Sequence, residues 1–207
     1  MTSRETAAVT TVERPVFVVF EGLDGSGKST CARSTAEALG AVYMTTPSER
    51  MRTYRDDIVQ SYRNSQEAQQ LFYLSTVFAA SRDVEHLLAS GRSVVLDRYF
   101  LSTQAYAAFR GTKLDIDDVQ RFLLPASMTI FLDAPLAVRR SRLAERGASA
   151  ADRETLQAGA DVRLRELHFC LAGLPVVGRF LTLDSSELSP RAIVAMVIAE
   201  ASRGRAP

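Results

Sequence analysis

The stretch Val16-Phe-Val-Val-Phe-Glu-Gly-Leu-Asp-Gly-Ser-Gly-Lys-Ser-Thr30 constrains this chain more than any other. It runs from a continuous apolar segment through closely spaced glycines into a helix-forming segment. Gly22, Gly27, Lys28 and Ser29 stand at the G-x-x-x-x-G-K-[ST] spacing of a loop that wraps phosphate groups. Glycines there let successive backbone N–H groups turn inward as an anion-binding concavity. The helix that follows adds the positive end of its dipole. Lys28 is placed to reach the outer phosphates of a nucleoside triphosphate, and Ser29 to offer one oxygen to Mg²⁺. The loop set is Gly22, Gly25, Ser26, Gly27, Lys28, Ser29 and Thr30.

The order of segments then fixes the fold class. Val16 to Phe20 reads as a strand buried on both faces of a parallel sheet, and Lys28 to Leu39 as a helix stopped by Gly40. Further strands are expected at Ala41–Thr45, Ser93–Leu96, Met128–Leu132 and Phe180–Leu183. Helices are expected at Glu67–Ser90, Leu101–Phe109, Asp117–Leu124, Pro135–Arg146 and Asp161–Cys170. Ser189-Pro190 fits an N-cap and first helical position for a last helix. The polar, Arg-rich stretch Thr46–Arg63 carries no apolar period. Strands alternating with helices predict an α/β fold, a three-layer sandwich around a mostly parallel five-stranded sheet. Residues 1–14 read as a loose tail and 15–207 as one domain, with a mobile flap at about 144–160.

Composition removes several function classes. With 25 Lys+Arg against 24 Asp+Glu, no global field would hold nucleic acid or an anionic membrane, so anion binding must be local. Cys31 and Cys170 form no metal or redox pattern, and His86 and His168 are too few for a His-rich metal site or a Ser-His-Asp relay. No apolar run approaches spanning length, and no secretory segment is evident, so a cytoplasmic protein with reduced thiols is expected.

Two further groups of residues carry chemistry. Asp24 lies inside the loop, where a bare phosphate cradle has no need of a carboxylate. It faces either Mg²⁺ or a hydroxyl of a second substrate, or else it braces the loop through backbone bonds. Asp97-Arg98-Tyr99 ends a buried strand at the edge where ligands collect in open α/β sheets. Asp97 can hold Mg²⁺ through water while Arg98 grips a phosphate with its planar fork. The competing reading is a mutual Asp–Arg surface pair.

Phe20-Glu-Gly-Leu-Asp-Gly-Ser-Gly-Lys-Ser-Thr30 followed by Asp97-Arg-Tyr-Phe-Leu-Ser-Thr-Gln-Ala-Tyr106 resembles the thymidylate kinase family, of the P-loop nucleoside monophosphate kinases. The likeness continues through Leu132-Asp-Ala-Pro135 and Arg146-Gly147 to Asp152-Arg-Glu154. It implies ATP-dependent phosphorylation of dTMP to dTDP by a homodimer that uses ATP and Mg²⁺. Lys28 and Ser29 would hold the ATP phosphates and the metal, with Asp97 as the other metal residue. Asp24 would meet the sugar 3′-hydroxyl, Arg98 the acceptor phosphate, Tyr106 the sugar, and Phe72 the base; Ser102 and Thr103 belong to the same acceptor motif. Ser26 stands where some members hold Arg, so a flap arginine, Arg146 or Arg153, would neutralise charge on the transferred group. A solvated charged helix face competes with that role.

Three departures bear on the acceptor. Thr76 falls where the family usually has an arginine against the thymine carbonyl, although a gap would bring Arg82 there. Ala107 replaces a polar residue near the base. Thr45-Thr-Pro-Ser-Glu-Arg50 replaces the phosphate-holding R-E-P-G, leaving Arg50, Arg52 or Arg55 to take over. An acceptor other than dTMP, and a nucleotide-binding regulator without catalysis, therefore stand beside the leading reading. Phe72, Tyr73 and Phe78 share one amphipathic helix, so core packing or a dimer face competes with base stacking. Cys31 reads as a small buried hydrophobe, and His86 as a surface residue.

Overall fold

The computed structural model describes residues 14–115, 117–147 and 155–203. Almost all of the expected tail, and residues 148–154 of the expected flap with Arg153 among them, lie outside the described residues.

Within the described residues five strands form one sheet: β1 (Phe17–Glu21), β2 (Val42–Thr45), β3 (Val94–Asp97), β4 (Met128–Asp133) and β5 (Arg179–Asp184). All pairings are parallel and the spatial order is β2-β3-β1-β4-β5. The sheet is therefore wholly parallel rather than mostly so. β1 is fully buried along its length. Its alternation divides two cores: Phe17 and Val19 pack on one face with Leu74, Val77 and Leu96, while Val18 and Phe20 pack on the other with Ala32, Ala36, Ile130 and Val197. The order in which strands are added changes side at β1, with β2 and β3 to one side and β4 and β5 to the other, so the loops leaving β1 and β3 open a crevice at their carboxyl ends.

The helices are α1 (Lys28–Leu39), α2 (Glu49–Ser61), α3 (Gln66–Ala89), α4 (Phe100–Phe109), α5 (Leu136–Arg146), α6 (Ala158–Leu171) and α7 (Pro190–Arg203). α1 has the bounds expected of it and ends at Gly40, which takes φ 60° and lets its N–H reach the last carbonyls. At α7 the Ser189 hydroxyl accepts the Ala192 N–H at 3.2 Å, the cap that Ser189-Pro190 predicts.

Two segments depart from expectation. α2 forms in the stretch that carried no apolar period; none of its side chains is buried, and Ser48 caps it by accepting the Met51 N–H. Capping and helix-tolerant polar residues hold it, a signal that a search for buried periodicity overlooks. Conversely, Asp117–Leu124 is not an α-helix but a short 3₁₀ segment, Asp117–Phe122. Pro125 drives the residue before it out of helical geometry, and the Leu124 N–H turns instead to the Ser81 hydroxyl at 2.8 Å.

Candidate active site

The glycine loop is shaped by backbone that must come close to its neighbours. Gly22 has φ 134°, and a Cβ there would lie 2.3 Å from the Leu132 carbonyl oxygen. Gly25, at φ 83°, would place a Cβ 2.8 Å from the Arg139 carbonyl oxygen. Only glycine fits both the conformation and the space. Lys28 is 5% exposed and its Nζ donates to the Leu23 carbonyl at 2.8 Å, which folds the side chain back over the loop. Burial lowers its pKa to about 8, with Arg98 acting in the same direction against Asp24, Asp97 and Glu21.

Behind the loop, α5 supplies a brace. Arg139 is fully buried; it donates to the Asp24 carbonyl at 2.9 Å and pairs with Asp161 from α6. Arg142 reaches the Ser185 carbonyl at 2.7 Å, and the Ser185 hydroxyl donates to the Ser26 carbonyl at 2.7 Å. Arg165 ties Asp133 at the end of β4 to Asp161. The carbonyls of Asp24, Gly25 and Ser26 are thus occupied from behind, and apart from the Ser26 N–H, which bonds the Leu23 carbonyl at 3.2 Å, the loop N–H groups are left for a ligand.

In front, parallel register sets Asp97 opposite Phe20 and Thr45. One carboxylate oxygen of Asp97 accepts from the Ser29 and Tyr43 hydroxyls. The other is buried and has no partner. Arg98 follows at φ 70°, a left-handed conformation unusual for a side-chain-bearing residue. Its backbone is fixed by N–H donation to the Phe20 carbonyl at 2.9 Å and by the Thr46 hydroxyl on its carbonyl at 2.6 Å. The guanidinium pairs with Asp24 and donates to the Ser102 hydroxyl at 3.1 Å, and the Tyr106 hydroxyl donates to Asp24 at 2.9 Å. Burial opposes charge on Asp24, but Arg98, Lys28, the Tyr106 bond and Arg139 together hold its carboxyl below the usual range. Asp24 therefore stays ionised. Burial and the neighbouring Asp24 push the Tyr106 phenol up.

Asp24, Lys28, Asp97, Arg98 and Tyr106 line one cleft of about 440 Å³ with Gly25, Gly27, Ser29, Thr30, Thr76, Ser102, Thr103 and Ala107. A second recess of about 610 Å³ shares Gly25, Gly27, Thr30 and Arg146 and adds Ser26, Cys31, Arg142 and the Ser185–Pro190 turn. The phosphate loop lies between the two. Arg52 and Arg55 from α2 line the first cleft and Arg50 does not. Arg82 is exposed and paired with Glu85, so Thr76 holds the position against the cleft and the gapped alternative is removed. Phe72 does not line the cleft: its ring packs on Tyr73, and Tyr73 faces the opening. The structure thus brings together every described site residue expected from the sequence except Gly22 and Phe72; Gly22 stands at the turn beneath the loop.

The family model for Thymidylate kinase matches residues 20–187. The chain belongs to the thymidylate kinase family. It is 32% identical to a probable thymidylate kinase of Thermococcus onnurineus over 151 residues, covering 62% of this chain and 71% of that protein. It is 31% identical over 157 residues to the thymidylate kinase of Leptospira borgpetersenii, covering 70% of this chain and 76% of the relative. A solved thymidylate kinase structure from Candida albicans superposes with a TM-score of 0.71 at 18% identity, covering 92% of this chain and 93% of that one, a likeness of fold. This chain, like its family, is a phosphotransferase, and the family's function is phosphorylation of dTMP.

Several residues of this thymidylate kinase fold escaped sequence reasoning. Glu21 is fully buried and accepts the Tyr99 and Ser102 N–H groups at 2.8 and 3.1 Å, capping α4 beneath Arg98. Burial raises its pKa, against hydrogen bonds from Ser102 and the pull of Arg98. Its place directly before Gly22 was the available signal. Arg139 had none, since a charged residue on a charged helix predicts exposure. His168 lies behind Tyr106, with ring centroids 6.2 Å apart. Its Nδ1–H donates to the Leu164 carbonyl at 2.7 Å, its Nε2 has no partner, and burial lowers its pKa to about 4. Cys31 is buried and its thiol is pushed up to about 11, consistent with a small apolar residue. His86 is exposed, as expected.

Proposed function

We propose that this chain transfers the γ-phosphoryl group of MgATP to the phosphate of dTMP, giving dTDP and ADP. The observation that carries the reading is that Arg98 and Asp24 share one cleft with Lys28 and Ser29 of the phosphate loop. A triphosphate cradle and an anion grip with a sugar-facing carboxylate then meet at short range. Phosphoryl transfer asks the protein mainly for positioning and charge neutralisation. The acceptor phosphate is already ionised, so no general base is needed, and none of the buried carboxylates need move a proton.

In this reading Lys28 and the loop N–H groups bind the donor phosphates, and the second recess takes the adenosine against Arg142 and the Ser185–Pro190 turn. Arg98 orients the acceptor phosphate, helped by Arg52 and Arg55 in place of the missing R-E-P-G segment. Asp24 accepts from the sugar 3′-hydroxyl and Tyr106 packs on the sugar. Arg146, which lines both recesses, is the described arginine best placed near the transferred group; Arg153 is the other candidate from the sequence. The hard oxygen donors Ser29 and Asp97, the latter with an unpartnered buried oxygen, fit Mg²⁺. Bound there, Mg²⁺ would neutralise charge on the phosphate oxygens. The reading also makes the protein a cytoplasmic homodimer paired through α3, whose Leu71 is exposed; sedimentation as a monomer at micromolar concentration removes the dimer.

A second reading, transfer to another nucleoside monophosphate, is favoured by one observation. The Thr76 hydroxyl is committed to the Tyr73 carbonyl within its own helix at 2.7 Å, and Ala107 offers no polar group. A coupled assay with MgATP across dTMP, dUMP, dCMP, dGMP and dAMP decides between them. Highest kcat/KM for dTMP supports the first reading, and turnover of another monophosphate without dTMP rejects it.

A further inference from the structure

At the base end of the cleft, α3 presents Gln66, Gln69, Gln70, Tyr73 and Thr76 along one face, so the polar groups that α3 supplies there are mostly neutral amides, with Arg110 on the lining just past α4. Gln69 is held at one end, its Nε2 donating to the Tyr62 carbonyl at 3.2 Å, whereas Gln70 is held at both. Gln70 is 3% exposed, and its Oε1 accepts the Thr112 hydroxyl at 2.6 Å while its Nε2 donates to Gln104 Oε1 at 3.2 Å. Thr112 Oγ1 itself accepts the Leu114 N–H at 3.4 Å while donating its proton to Gln70. In this network the Gln70 amide faces oxygen towards Thr112 and nitrogen towards Gln104. One Nε2–H and one Oε1 lone pair of Gln70 remain uncommitted. The buried Gln104 Nε2, on a residue 6% exposed, has no partner at all.

We infer that Gln70 is a specificity-determining residue that reads the acceptor base at its keto–imino edge, and that Thr112 positions it; this rests on the kinase reading above. An amide offers a donor and an acceptor side by side, complementary to a pyrimidine carrying a 4-carbonyl beside an N3–H. Thymine and uracil carry that pair. Cytosine carries the reverse, a 4-amino group beside a bare N3, and would need the amide turned over. Turning it would require the Thr112 hydroxyl to accept a second N–H beside that of Leu114 and to redirect its proton, and would set the Gln70 oxygen against Gln104 Oε1. Two oxygens would then face each other unless Gln104 turned as well, so Thr112, Gln70 and Gln104 would have to reorient together. A buried polar group left facing a like group loses its hydrogen bond and its hydration together. The lock thus performs, with neutral groups, the discrimination that neither Thr76 nor Ala107 supplies.

The test measures kcat/KM for dTMP, dUMP and dCMP with MgATP in the full chain and three variants, with ATP binding by calorimetry as the folding control. The wild type is expected to favour dTMP and dUMP over dCMP by about tenfold or more. Thr112→Val, near-isosteric and on a partly exposed loop, is expected to lower the dTMP:dCMP ratio by about tenfold through acceptor KM, and Thr112→Ser to restore it. Gln70→Met is expected to lower dTMP kcat/KM and flatten the ratio. If Gln70→Met does not bind ATP, the Thr112 pair decides. A ratio unmoved by Thr112→Val in an enzyme that turns over dTMP overturns the inference and leaves the kinase reading standing. A wild type that phosphorylates no monophosphate overturns both.

Discussion

The two ends of the cleft are built on opposite plans. The proposed donor end is backbone: a glycine loop whose carbonyls are held from behind by Arg139, Arg142 and Ser185, leaving N–H groups to meet phosphate. The proposed base end is side chain: a helix face of glutamines, a tyrosine and a threonine, with Gln70 bonded across to Gln104 and Thr112 and Thr76 to its own helix. Phosphate is the same in every nucleotide, so a backbone device can serve it unchanged. A base must be told from other bases, and only side chains, which substitution alters singly, can do that. Between the ends stand Asp24, Arg98 and Tyr106, mutually paired and dependent on both.

The comparison predicts where damage will be severe. Lys28→Met should lower kcat by about 10²–10³-fold, because the buried ammonium is the loop's one mobile charge towards the donor phosphates; steady-state kinetics at saturating dTMP check it. The same residue gives a pH test. The free enzyme's Lys28 is charged below about 8 and neutral above, so calorimetric ATP affinity should fall as pH rises from 7 to 9 in the wild type. An unchanged affinity would place the charge dependence elsewhere.

The brace should matter nearly as much to stability. Arg139→Leu strips a buried partner from Asp161 and from the Asp24 carbonyl. A loss of about 3–5 kcal/mol in urea unfolding is expected, with Arg165 still on Asp161 holding it to the lower end. Acid comes next. His168 is neutral when folded down to about pH 4, while the unfolded chain takes up a proton near 6.5. The unfolded state therefore binds more protons between those values, and stability should fall as pH drops from 6.5 to 4, by about 3 kcal/mol. His168→Gln should flatten that window in urea titrations at several pH values. Gly25→Ala is the mildest, at about 2 kcal/mol of destabilisation, since its Cβ meets Arg139 and Leu143 at a positive φ; a thermal melt reads it. Should Gly25→Ala prove neutral while base-end substitutions unfold the protein, the contrast between a backbone-built donor end and a side-chain-built base end fails.

How far the site could be read in advance followed from how local each signal is. The G-x-x-x-x-G-K-S spacing and the Asp97-Arg98 strand end are consecutive residues whose roles follow from their own order, and the structure sets them facing one another. Thr76 against Arg82 was undecidable from spacing, because both lie on α3; burial of one and exposure of the other separates them. Phe72 and Tyr73 differ by one position, about 100° around a helix, and only the packing of α3 selects Tyr73 for the cleft. α2 went unrecognised because nothing in it is buried.

By itself the sequence determined the parallel α/β class, the phosphate loop and the acceptor motif, since each rests on short-range order: continuous apolar runs alternating with helical segments, glycine conformations and residues a fixed few positions apart. The tertiary structure alone decided which arginines line the cleft and which brace it from behind. Arg139, Arg142, Arg52, Arg55 and Arg82 are chemically alike in sequence. What separates them is whether packing leaves the guanidinium against a carbonyl, a cleft or water. The Gln70–Thr112–Gln104 lock is of the same kind, for its members come from two helices and a loop, and only the fold sets their amides and hydroxyl edge to edge.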